Sequence, residues 1–191
     1  MKLKFFAMLS CFLLLFGCGT ANDNNGNQNG TGSDTAPPTD NTEDEEAVED
    51  LTGHIISISN EGNMRILVTG SHANSSGVSA TMYTLEESTK VEDTEGKGLE
   101  AADQKVGMKV TVWNTGIVAE SFPAQSGALK VVVDAGQDGN EQEAIEKALG
   151  EVKAGDPWHV DAVEKVEDSK YKVTLKNLLE DTEPVEVEVQ L

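Results

Sequence analysis

From Gly19 to Ala47 the chain reads GTANDNNGNQNGTGSDTAPPTDNTEDEEA, with no aromatic residue, no aliphatic larger than alanine and no basic residue. A segment of that composition has nothing to bury, so nothing offsets the entropy lost on ordering it, and a disordered tether is expected. This stretch constrains the fold more than any other feature: whatever packs must be built from residues beyond it. As a flexible coil it spans about 30 Å on average. It closes on the acids Glu43, Asp44, Glu45 and Glu46, which repel an anionic surface.

Upstream the character inverts. Lys2 and Lys4 precede an apolar-rich run from Phe5 to Phe16, and the run stops at Gly17-Cys18. It is too short to cross about 30 Å of hydrocarbon as a helix. Basic-then-apolar order is that of a secretory signal peptide. Leu15-Phe16-Gly17-Cys18 resembles the lipobox of bacterial lipoproteins, where a small residue precedes the cut and the cysteine becomes the lipidated first residue. The resemblance implies a signal peptide over residues 1–17, lipidation of Cys18, and a tether over 18–47. The membrane would then be a partner through that lipid, and the protein would sit at the cell membrane facing the extracellular side. Several acyl chains on one residue anchor durably where one is marginal, at about 0.8 kcal/mol per buried methylene. An ordinary cleaved signal, or a buried helix with an incidental cysteine, is the competing reading.

The chain carries 34 acidic and 14 basic side chains. Removing residues 1–17 takes away two lysines and no acid, leaving 12 − 34 = −22. So acidic a polypeptide has no general basic face, and no nucleic-acid partner is expected. Cys11 leaves with the signal, so no disulfide and no free thiol remain in the folded part.

Beyond the tether, LTGHIISIS and MRILVT flank the turn signal Asn60–Asn63 and read as a hairpin. VSATMYTL is a third strand. EESTKVEDTEGKGLEAADQKVGM reads as a loop with a helical turn around Leu99 to Asp103. KVTVWNTGIVAE (109–120) is a fourth strand and ALKVVVDA (128–135) a fifth. Five strands with a long excursion before the fourth suit a small OB-like barrel over 48–136. An open meander or a sandwich fragment is the alternative.

Residues 137–191 have a different pattern. Asn140 followed by Glu143 fits a capping box. Ala144, Ile145, Ala148 and Leu149 give one apolar helix face, ended by Gly150. Three alternating strands follow, placing Trp158, Val160 and Ala162, then Tyr171, Val173 and Leu175, then Val185, Val187, Val189 and Leu191 on buried faces. The expected fold class is therefore mainly β with α+β: a five-stranded OB-like barrel followed by a helix plus a three-stranded antiparallel sheet. A unit this small is marginal alone and is expected to pack on the barrel. Outward Glu186 and Glu188 protect an edge strand.

GHIISISNEGNMRILV, GMKVTVW and GIVAESFPAQSGALKVVV resemble the YobA-like secreted proteins over roughly Leu51 to Asp134. The most specific piece is VAESFPAQ, with Glu120, Ser121, Pro123 and Gln125 ahead of a strand. That family carries a domain of unknown function, so the resemblance implies a module boundary and an extracellular setting, and no chemistry.

Motifs for chemistry are sparse. Asp134, Asp138 and Gly139 begin like a calcium loop, but Gly136 and Ile145 stand where ligands are required. His54, His72 and His159 show no metal-ligand spacing, and no metal or cofactor is expected. His159 and Asp161 share one strand face. Ser121 lies in no nucleophile motif. The expected function is non-catalytic binding of an envelope protein or ligand, and the candidate surface is Trp113, Glu120, Ser121, Phe122 and Gln125. For Trp113 a plain core position competes with that role. The alternative functions are an envelope hydrolase or its accessory subunit, built around Ser121, and an acidic cation-binding surface protein.

Overall fold

The computed structural model describes residues 46–191. The expected signal peptide, Cys18 and the expected tether up to residue 45 lie outside the described residues.

Five strands, β1 (Val48–Ser59), β2 (Arg65–His72), β3 (Val78–Asp93), β4 (Lys109–Asn114) and β5 (Ala124–Val133), form a closed barrel in the order β1-β2-β3-β5-β4. β4 returns to pair with β1, which closes the sheet and removes its edges. Only the β3–β5 pairing is parallel. This is the expected OB-type barrel, and closure through β1 and β4 excludes the open meander.

Period-two alternation builds the interior. Leu51, Ile55, Ile66, Val68, Tyr83, Leu85, Val110, Val112 and Val131 are all buried in one cluster. The Ile55-Ile56 pair is resolved by a bulge in β1: Ile55 opposes Val68, Ser57 opposes Leu67, and Ile56 is the unpaired extra residue. Ile55 therefore points into the barrel while Ile56 joins a second core outside it.

The largest departures from the expected strand bounds are in β3, β4 and β5. β3 runs on to Asp93, through residues read as loop. A register shift between Leu85 and Lys90 absorbs the polar EES stretch, after which Val91 opposes Val131 and is buried. β4 ends at Asn114 instead of Glu120, because Gly116 takes φ +80° and Asn114 Oδ1 accepts its N–H at 2.7 Å. β5 begins at Ala124 instead of Ala128, held by pairing of Thr81 with Ala124. The helical turn before β4 is present as a short 3₁₀ segment, Ala101–Asp103.

The C-terminal part is α1 (Gly139–Gly150) followed by β6 (Trp158–Glu167), β7 (Lys170–Asn177) and β8 (Val185–Gln190), an antiparallel sheet in that order. The cap of α1 is Asp138, not Asn140: Asp138 Oδ1 accepts the Asn140 N–H at 2.9 Å. Gly150 is still helical, and the chain leaves through Glu151 in a right-handed conformation rather than through a left-handed glycine. A bulge at Asp161 moves Ala162 off the buried face, so Val163 stands opposite Val173 and packs on the core in its place.

The outward side chains of β1, β2 and β3 do not face water throughout. Ile56, Leu67 and Ala80 pack with Ala144, Ile145, Ala148, Trp158, Val160, Tyr171, Val173 and Leu175 in one core. Thr69 Oγ1 donates to the Trp158 carbonyl at 2.9 Å inside that contact. The small α+β part thus completes its core on the barrel wall, as expected for a unit too small to bury enough alone. Gly107 shows how tightly the parts meet. Its φ is +85°, its N–H donates to the Ile55 carbonyl at 2.8 Å, and Gln137 Nε2 donates to its carbonyl at 2.9 Å.

Candidate functional site

The loop from Thr115 to Pro123 follows the sharp turn at Gly116 and is braced from within. Ala119 N–H donates to the Gln125 carbonyl at 2.8 Å, Ser126 Oγ to the Ile117 carbonyl at 2.8 Å, and Ser121 N–H to the Ala119 carbonyl at 2.9 Å. The backbone is thereby fixed while the side chains project. Ile117 is 77% exposed, Phe122 50% and Val118 39%. Three apolar side chains of one loop are thus turned to water.

Four of the candidate residues share this loop and its exit. Glu120, Ser121, Phe122 and Gln125 are all exposed. Ser121 Oγ donates its proton to the Pro123 carbonyl at 2.7 Å, a local turn bond. Trp113 stands apart on the outer face of β4. It is half-buried, flanked by Glu49 on β1, with the Lys130 ammonium 4.0 Å from its ring centroid. It is therefore not a residue of the barrel core, and the lysine makes a cation–π contact with its ring. Ile117 and Val118 were not among the expected residues. As an extension of β4 they would have alternated between wall and solvent; the Gly116 turn frees both.

A second polar cluster has no sequence signal at all. The Asp50 side chain, 11% exposed, accepts from Tyr83 Oη at 2.6 Å and from Asn114 Nδ2 at 2.8 Å. His72 Nδ1 lies 3.0 Å from Asp50 Oδ1 and 2.8 Å from the Asp50 carbonyl, so this nitrogen carries the proton. Burial first, then the bond to Asp50, push the Tyr83 phenol pKa up, so it stays a donor. In sequence Asp50 looks like one more acid at the end of the tether. In the fold it ties β1 to β3, β4 and β2. Asp50→Ala leaves two buried donors without acceptors and is expected to cost about 2 kcal/mol of stability. Urea unfolding followed by circular dichroism checks this, and an unchanged midpoint refutes it.

The three histidines do not converge on one point. His72 belongs to the Asp50 cluster. His54, on β1, is held to a pKa of about 4, first by burial and then by the charges of His159 and Lys109. His159 on β6 has Nε2 3.6 Å from Asp161 Oδ1 and a buried Nδ1 with no partner. Burial lowers its pKa and Asp161 opposes that. Among the described residues no group of three His, Cys, Asp or Glu is placed to hold a metal ion. The carboxylates of the apparent calcium loop are otherwise occupied: Asp134 pairs with Lys109 at 3.0 Å and Asp138 caps α1. The Lys109 contact, then the Gly136 N–H, hold the Asp134 carboxyl below its usual range.

OB barrels take oligonucleotides and oligosaccharides on the face of strands 2 and 3 and on the flanking loops. Here Leu67 of β2 and Ala80 of β3 lie under β6, β7 and α1. That face is closed, and the β1–β2 and β4–β5 loops are the parts of such a surface left open. Comparison of the chain with protein-family models, curated proteins and solved structures gives no match.

Proposed function

We propose that the chain is a lipid-anchored cell-surface protein whose folded part is a non-catalytic binding module presenting the β4–β5 loop. The observation that carries the binding role is the exposure of Ile117, Val118 and Phe122 on a loop whose backbone is braced. The anchored location is supported by the junction at Cys18, where a basic and apolar leader meets a segment that cannot fold. The resemblance of Leu51 to Asp134 to the YobA-like secreted proteins is in keeping with that location and assigns no activity. The hydrolase reading is supported less well, since the Ser121 hydroxyl is engaged by the Pro123 carbonyl.

Metabolic labelling with a fatty acid tests the anchor. Wild type is expected to take up label and to shorten by its leader, and Cys18→Ser to do neither. Wild type that stays unlabelled refutes the anchor.

A further inference from the structure

We propose that the β4–β5 loop is a lipid-contact element, with Ile117, Val118 and Phe122 seated at the headgroup level of the surface to which Cys18 ties the chain. The proposal rests on the anchored reading above. Its first support is where the tether meets the fold. β1 begins at Val48, opposite Asn114, the last residue before the loop. A Val48 methyl is 4.0 Å from where a Cβ on Gly116 would lie. The segment carrying Cys18 therefore enters the domain beside this loop, and a coil of this length reaches about 30 Å on average. This is the end of the barrel at which the described chain begins.

The second support is chemical. Val48 is itself 50% exposed and adds a fourth apolar side chain to the patch. Trp113 lies at the same end of β4, and aromatic rings with a polar edge favour the water–lipid boundary. The loop's internal hydrogen bonds already occupy the Ala119 and Ser121 N–H groups and the Ile117, Pro123 and Gln125 carbonyls. The backbone groups of Val118, Glu120 and Phe122 have no such partner, which keeps the loop at the hydrated headgroup level rather than deeper. Glu120 on the loop and Glu49 beside Trp113 limit the depth and favour neutral headgroups over anionic ones.

A lipid surface is favoured over a protein by size. A stable protein interface takes about 800 Å² from each partner, far more than a tip of a few side chains. A tethered domain needs only a weak contact, because the tether holds its local lipid concentration high.

The test uses the mature lipidated protein in phosphatidylcholine vesicles with brominated acyl chains, reading tryptophan emission. Trp158 is buried in the second core and supplies a constant background. Emission is expected to fall relative to plain vesicles. Trp113→Phe is expected to remove that fall. The double variant Ile117→Asp, Phe122→Asp is expected to remove it too, with an unchanged circular dichroism spectrum since both positions are exposed. Protein that floats with the vesicles but emits equally on both overturns this inference alone. Protein that fails to float overturns the anchor and this inference with it. Equal emission together with Ile117→Cys shielded from a water-soluble maleimide on intact cells assigns the loop to a protein partner, and also overturns the lipid contact.

Discussion

Alanine at Gly53 is expected to prevent the barrel from closing. Gly53 of β1 stands opposite Gly70 of β2, and their backbones approach so closely that a Cβ on Gly53 would lie 2.6 Å from Gly70 Cα and closer still to the Thr69 carbonyl. The same clash arises in reverse, between a Cβ on Gly70 and the Thr52 carbonyl. These are backbone atoms within a ladder, so no rotamer change relieves the overlap. β1 cannot retreat either, because Gly53 also faces Val110 of β4 on its other side. The strands must part, and with them the contacts of Leu51 and Ile55, which are fully buried in the barrel core. Overpacking of well-packed sites costs about 1–3 kcal/mol, and an overlap against fixed backbone lies beyond that range. Gly53→Ala is therefore expected to lose more than about 3 kcal/mol, or to leave no folded protein to measure. The readout is chemical denaturation of wild type and variant side by side, and a midpoint shift of less than about 1 kcal/mol in equivalent stability refutes the close pairing.

The Gly53–Gly70 pair carries no periodic signal in the sequence. Alternation in KVTVW and VEVEVQL made the strands legible, because a half-buried strand repeats every two residues. Bulges left no such trace. The extra residue at Ile56 or Asp161 leaves a tidy alternation on each side, and only the partner strand reveals that the faces have exchanged. The β4–β5 loop was half legible. Glu120, Ser121, Phe122 and Gln125 stood out beside Pro123, whereas Ile117 and Val118 have the residue types of a strand. Only the left-handed turn at Gly116, braced by Asn114, converts them into a projecting tip. Asp50 was hidden for a compositional reason: it follows a run of acids and resembles them. Its role comes from Tyr83, His72 and Asn114, which are distant in sequence and meet only when the barrel closes.

Closure of the α+β part onto the barrel carries a dependence on pH. His54 is half-buried beside Lys109, its cross-strand neighbour on β4, and senses the charge of His159 on β6. His159 in turn lies across from Lys176 on β7, with Asp161 as its one acidic neighbour. Burial and these cations disfavour a proton on His54, so its pKa falls from 6.5 in the unfolded chain to about 4 in the fold. Above pH 6.5 the ring is neutral in both states and the fold bears no penalty. As pH drops from 6.5 towards 4 the unfolded chain takes up a proton that the folded chain refuses, and stability falls. Below about 4 both states are charged and this loss stops growing. The integrated loss from His54 is about 3 kcal/mol, and lowering of the His159 pKa adds in the same direction. Asp134, Asp156 and Glu188 are held below their usual ranges, so their contributions are lost only further down, as pH falls through the carboxylate range. The window from pH 6.5 to about 5 therefore isolates the histidines. Urea midpoints are expected to fall across that window for wild type, and His54→Asn, which has no ring to titrate, is expected to flatten the slope. An equal slope in the two proteins shows that His54 is not held neutral in the fold.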